Sequence, residues 1–157
     1  MNLGKQLSPC EAAYVAGIID GEGTITLTRT HRGENRRPVI SISSTERPLL
    51  SYVRQVVDAG RITNKMRTRE HHSPSYAFTL SSRKALALFS QVSPFLQTYK
   101  AGRARLLLEE YLQVTPRNGR YTATQRDRRA AFEIRFFCHA HARRNARRSD
   151  RRSLSVE

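Results

Sequence analysis

Residues 14–23 read Tyr-Val-Ala-Gly-Ile-Ile-Asp-Gly-Glu-Gly, an apolar helix stem that runs straight into two carboxylates, Asp20 and Glu22. No other stretch of the chain constrains its fold as much. Upstream, Ser8-Pro9-Cys10-Glu11 has the form of a helix start: Ser8 can cap, Pro9 suits the first turn and Glu11 closes a capping box. Within the helix, Ala12 and Ala16, and Ala13 and Gly17, stand four apart. Those spacings leave strips almost bare of side chain, along which another helix can approach closely. Gly17 costs a helix interior about 1 kcal/mol relative to Ala, so close packing has to offset it. A helix that only filled a core would have no use for two acids at its end.

The acids stand out further because the chain is strongly basic. Its 157 residues hold 28 Lys and Arg against 13 Asp and Glu, a formal net charge of +15. Such an excess points to a polyanionic partner, since phosphate contacts release counterions; an anionic membrane surface is the competing partner. The length favours one domain with its own core. No run is long and apolar enough for a membrane span, and the start, MNLGKQLSPC, does not read as a signal peptide. The expectation is therefore a soluble intracellular protein, cytoplasmic or nucleoid-associated, with an organelle as the other home and no membrane partner. Only Lys5, Lys65, Lys84 and Lys100 are lysine. The arginine bias fits a GC-rich genome and is compatible with reading of phosphates or guanines. Cys10 and Cys138 are isolated, and His139 and His141 lack carboxylate or thiol neighbours, so neither a zinc site nor a disulfide framework is expected.

After the acids the period changes to two. Ile25 and Leu27 alternate with Thr24, Thr26, Thr28 and Thr30, and Ile40 and Ile42 alternate with Val39, Ser41 and Ser43. With a turn at Arg32–Asn35 this predicts a hairpin with one apolar and one hydroxyl-rich face. A helix over 46–59 follows, ended by Gly60. A second hairpin over 61–81 puts Arg61, Thr63, Lys65, Arg67 and Arg69 on one face, turns at His71–Pro74, and returns with Tyr76, Phe78 and Leu80 inward and Ser75, Ala77 and Thr79 outward. Helices are expected over 82–92 and from Pro94 through Leu112, then a loop at 115–121, a basic helix and a loose tail over 149–157. Between Arg117 and Arg152 there are 12 arginines against three acids. The order is α-β-β-α-β-β-α-α with a basic extension, in domain terms a core over 1–114, an extension over 115–148 and the tail. No second copy of the 14–23 stretch occurs.

Residues 15–23, VAGIIDGEG, resemble the signature of the LAGLIDADG homing endonucleases, with Glu22 at the final acidic position. PFLQTYKAGRARLLLEEY at 94–111 is similar to a second family stretch, with one residue inserted before Lys100. The resemblance covers roughly residues 8–114. It implies an α+β fold, an αββαββα core with a saddle-shaped antiparallel sheet, to which this chain adds its basic helical extension.

The resemblance also implies an activity. The family's signature helices pack pairwise through small residues, so Ala13, Ala16, Gly17 and Asp20 become a dimer interface, and a single signature implies a homodimer. Glu22 and the carbonyl of Gly21 become metal ligands, and Glu22, Lys100 and Ser44 the catalytic set; Ser44 stands where the family often has Gln or Asp. Glu22 shares the parity of Thr24 to Thr30, which puts it at the edge of the hydroxyl face. The DNA-reading residues are then Thr24, Thr26, Thr28, Thr30, Arg32, Arg37, Val39, Ser41, Arg61, Thr63, Lys65, Arg67, Arg69, Ser75, Ala77 and Thr79. Such a protein is an intron-mobility hydrolase: it cuts double-stranded DNA at a long near-palindromic site by Mg²⁺-assisted phosphodiester hydrolysis, leaving short 3′ overhangs. Mn²⁺ is expected to substitute, and Ca²⁺ to bind without supporting cleavage. Two rivals keep the same fold, a non-cleaving DNA-binding regulator and a maturase that binds intron RNA. A ribosome-associated basic protein is a third, which would not need the paired acids.

Overall fold

The computed structural model describes residues 5–65, 74–116 and 119–153, with side chains as far as Cys138. The helix expected from the first acid-tipped stretch forms as α1 (Pro9–Glu22), capped as anticipated. The Glu11 amide donates to the Ser8 hydroxyl at 3.3 Å, and the Ser8 amide donates back to the Glu11 carboxylate at 2.8 Å. That backbone hydrogen bond is the largest of the causes that hold the Glu11 carboxyl below its ordinary value. β1 (Gly23–Thr28) follows without a loop, then β2 (Arg37–Ser44), α2 (Arg47–Val57), β3 (Arg61–Lys65), β4 (Ser75–Ser81) and α3 (Ser82–Val92). The continuation of β3 through Arg67 and Arg69, and the turn at His71–Ser73, lie outside the described residues.

One expected element divides in two. Ser93–Phe95 forms a single 3₁₀ turn, and α4 starts only at Tyr99, ending at Glu110. Leu96 is extended between them, and the Asp20 carboxylate holds the next two amides, Gln97 and Thr98. α5 (Ala123–Ser153) closes the order, running through residues 149–153 where the sequence reading expects a tail. Among the described residues no helix is long and apolar enough to cross a membrane.

The four strands form one antiparallel sheet in the order β1-β2-β4-β3. Its apolar face carries Ile25, Leu27, Ile40, Ile42, Phe78 and Leu80, all buried, under α1, α2 and α3. Val15, Ile19, Leu50, Val53, Phe89 and Val92 complete this core from the helix side. Each such side chain contributes about 1.5–3 kcal/mol of burial, which is how a threonine-rich sheet with an open second face stays folded.

The chain divides into two compact units, residues 1–104 and 105–157. In the second, α5 begins with a Thr122–Gln125 capping box and buries Phe132 and Phe136. Arg129 is only 3% exposed: it lies over the Tyr111 ring, pairs with Glu133 at 3.2 Å and reaches the hydroxyls of Thr115 and Tyr121. Arg135 pairs with Glu110. Two arginines of the basic extension are therefore committed to its internal structure.

Candidate nucleic-acid interface and catalytic carboxylate

Strand register decides which side chains share the open face. Thr24 stands opposite Ser41, Ser41 opposite Thr79, and Thr79 opposite Arg61, so one row crosses all four strands. The neighbouring rows run Thr26–Val39–Ser81, Ser43–Ala77–Thr63, Thr28–Arg37 and Ser75–Lys65. The structure thus brings Thr24, Thr26, Thr28, Arg37, Val39, Ser41, Arg61, Thr63, Lys65, Ser75, Ala77 and Thr79 onto one face. Thr30 and Arg32 lie in the connection beyond β1. Arg37 donates to the Thr30 hydroxyl and pairs with Glu34 at 3.4 Å, which fastens that connection to β2. Arg67 and Arg69 lie outside the described residues.

This face is concave. An open cavity of about 720 Å³ is lined by threonines 26, 28, 30 and 79 and by the cations of Arg37, Arg61 and Lys84, with no acid among its lining residues. Gly60, Leu80, Ser81 and Lys84 are the lining residues not among those expected on this face. Ser81 closes the expected strand and shares the parity of Ser75, Ala77 and Thr79, so the alternation of β4 already points it to this face. Lys84 has no strand signal, because it enters from the first turn of α3.

The acids sit at one end of the sheet. Gly23 pairs with Ile42, which puts Glu22 at the same sheet end as Ser43 and Ser44. Glu22 is exposed and is the last residue of α1, not the first of β1. Two carboxylates in a helix's last turn oppose its macrodipole, and α1 has no basic residue there. Lys100 supplies the missing cation from α4: its Nζ donates to the carbonyls of Ile19 at 2.7 Å and Asp20 at 2.8 Å. Burial lowers the Lys100 pKa below the usual lysine value, while the charges of Asp20 and Glu22 oppose that shift. Asp20 does not point outward. Its carboxylate accepts from the Gln97 amide at 2.6 Å, the Thr98 amide at 3.3 Å and the Thr98 hydroxyl at 2.5 Å. The Ser44 hydroxyl accepts from the Glu46 amide at 3.0 Å, so it closes its own turn.

What this end can hold is set by its donors. Glu22 offers an exposed carboxylate, and Gly21 belongs to the same final turn, where helical carbonyls lose their partners four residues on. These are hard oxygens of the kind Mg²⁺ takes together with water and phosphate. Among the described residues no three His, Cys, Asp or Glu side chains cluster.

The outer side of α1 departs from the expected interface at two residues, Asp20, whose carboxylate is turned to Gln97 and Thr98, and Ala16. Ala13 and Gly17 are exposed, with Cys10, Tyr14 and Gly21 along the same side, and a Cβ added at Gly17 or Gly21 would meet nothing within 4 Å. Ala16 is fully buried and packs into the chain's own core, so it does not belong to the exposed strip. Tyr14 is 51% exposed and stacks edge-on with Tyr52 at 5.4 Å.

Residues 9–92 match the family described as a LAGLIDADG-like domain. No curated protein matches the chain by sequence. Among solved structures, the chain is similar to the homing endonuclease I-CvuI in complex with its target in the presence of Ca, at 16% identity over 83% of this chain and 82% of that one, with a TM-score of 0.66. It is also similar to the archaeal intron-encoded homing endonuclease I-Vdi141I complexed with DNA, at 16% identity over 83% and 84% of the two chains and a TM-score of 0.56. For the homing endonuclease I-TnaI the figures are 20%, 83%, 88% and 0.54. At these identities the likeness speaks for the fold.

Proposed function

The chain belongs to the LAGLIDADG-like domain family, and from that premise we propose that it is a site-specific DNA endonuclease that works as a homodimer on a long near-palindromic duplex site. The observation that carries this reading is the exposed Glu22 at the edge of a continuous face of hydroxyls and cations. A carboxylate beside a polyanion is repelled unless a cation lies between them, and this one stands at the end of a helix that disfavours it.

In this reading residues 1–114 are the nuclease core and the basic extension is an accessory. The open sheet face enters the major groove, where Arg61 and Lys65 meet guanine edges or phosphates and the threonines and serines make adaptable contacts. Glu22 and the Gly21 carbonyl hold the divalent ion, Mg²⁺ or Mn²⁺. When bound, that ion polarises the scissile phosphate and activates the attacking water. Lys100, held at the end of α1, adds positive field where negative charge develops. The exposed strip of Cys10, Ala13, Tyr14, Gly17 and Gly21 packs against the same strip of a second copy, so that two Glu22 carboxylates serve two strands and leave short 3′ overhangs.

Cleavage of a randomised-site duplex library with Mg²⁺, Ca²⁺ or EDTA tests the proposal. Double-strand cuts at one near-palindromic site with Mg²⁺, binding alone with Ca²⁺ and no cuts with EDTA are expected. A second reading, a binding regulator that does not cut, is favoured by Ser44, a short side chain engaged in its own turn where a water-orienting group would stand. Site-selective binding without cuts in any metal would establish it, and preference for intron RNA over duplex would overturn both.

The cavity makes a separate prediction. Lys84→Gln should weaken binding by a similar factor on all duplex sequences and lower the slope of log affinity against log salt by about 0.9, the signature of one lost phosphate contact. An unchanged salt slope would remove α3 from the interface.

A further inference from the structure

The ends of α1 and α4 cap each other. Lys100 Nζ holds the carbonyls of Ile19 and Asp20 in the last turn of α1, and the Asp20 side chain holds the amides of Gln97 and Thr98 just before α4 begins. Thr98 closes the circuit. Its hydroxyl donates to Asp20 Oδ1 at 2.5 Å and accepts from the Lys100 amide at 3.3 Å. Each helix end thus receives from the other the charge its own terminus calls for, an anion at the N-terminus of α4 and a cation at the C-terminus of α1. The bonds that join the two helix ends span 77–81 residues of sequence, so they are tertiary contacts; the Thr98–Lys100 bond alone is local.

Glu22 stands two residues beyond Asp20 on the backbone this circuit holds. The Gly23 amide, donating to the Ile19 carbonyl, adds a cap from the neighbouring backbone. We propose that Asp20 and Thr98 form a latch whose task is to set the position of Glu22, with Thr98 a positioning residue for the reaction. The proposal rests on the nuclease reading above. Thr98 is the place to test it, because its hydroxyl makes both bonds at once, whereas Asp20 also carries three contacts whose loss would disturb the whole junction. A displacement of the order of 1 Å at a reacting group can cost about 10²-fold in rate without touching substrate binding.

Thr98→Val keeps the shape of the side chain and removes its hydroxyl; Thr98→Ser keeps the hydroxyl. In single-turnover cleavage by the 157-residue chain, Thr98→Val is expected to cut about 10- to 100-fold more slowly. Its half-saturating Mg²⁺ concentration should rise, while duplex affinity in Ca²⁺ stays within about twofold and Thr98→Ser restores most of the rate. Amide hydrogen exchange on the free proteins provides a readout that does not depend on cutting. Thr98→Val should speed exchange at residues 20–23 as well as at 97–100. Cleavage at the wild-type rate, or a rate loss matched by an equal loss of affinity, would overturn the latch. So would faster exchange confined to residues 97–100. A wild-type protein that cuts nothing would remove the nuclease reading instead, and the exchange experiment alone would then decide whether the latch holds the end of α1.

Discussion

Glu22→Gln should abolish strand cutting, by about 10³-fold or more, and leave duplex binding intact. The substitution keeps the size of the side chain and one carbonyl oxygen but removes the charge that a hard cation needs from its ligand. Binding should hold, or tighten slightly, because a negative charge is taken away from beside a polyanion. Stability should hold too. Glu22 is exposed, and its charge opposes the dipole of the helix it ends but favours the Lys100 cation, so the two effects offset and the melting temperature should change little. A residue whose neutralisation spares the fold and destroys activity is kept for its chemistry. The measurement is single-turnover cleavage alongside binding in Ca²⁺ and a thermal melt. Cutting by Glu22→Gln at near the wild-type rate would place the metal elsewhere. Loss of binding together with cutting would make Glu22 a residue of the fold.

The parts of this site that local pattern controls were legible in the sequence. The Ser8–Glu11 capping box, the threonine parity of β1 and the apolar parity of β2 and β4 all formed as read. The joining of those parities into one face was not legible, because β2 ends at Ser44 and β4 starts only at Ser75, so their register is set across a whole helix and strand of intervening chain. Ala16 shows a different limit. α1 is apolar or small nearly all round, so its sequence offers two strips four residues apart and nothing to say which one the sheet covers. The sheet takes the Ala12–Ala16 strip and leaves the Ala13–Gly17 strip open. Lys100 and Arg129 are a third case. Composition places cations at the surface, yet both are buried because helix-end carbonyls in one case and an aromatic ring with a carboxylate in the other meet their charge. Lys84 joined the cationic face from a helix, where strand periodicity has no reach.

Gly60→Ala should be among the most damaging single-methyl changes this chain can suffer, because two independent penalties fall on one Cβ. The residue has φ of +96°, a conformation that side-chain-bearing residues rarely adopt. Backbone strain of that kind costs about 1–3 kcal/mol. The added Cβ would also lie 2.4 Å from Cε2 and 2.6 Å from Cζ of Phe78, and 3.1 Å from the Thr79 carbonyl. Phe78 is fully buried, so its ring can retreat only by disturbing neighbours, at a further cost of about 1–3 kcal/mol. Together these predict a fall in melting temperature of the order of 10 °C by circular dichroism. DNA binding should suffer beyond the loss of folded protein, since Gly60 lines the cavity and immediately precedes Arg61. Gly17→Ala supplies the contrast. Its new Cβ meets nothing within 4 Å, and alanine improves a helix interior by about 1 kcal/mol, so the isolated chain should melt a few degrees higher. If the strip containing Gly17 is the surface on which two copies meet, that gain must come with weaker self-association by sedimentation, because the methyl group then fills space the second helix needs. A rise in stability with unchanged association would place the dimer contact on another face of the protein, and Glu22 with it would lose its argument for acting in pairs.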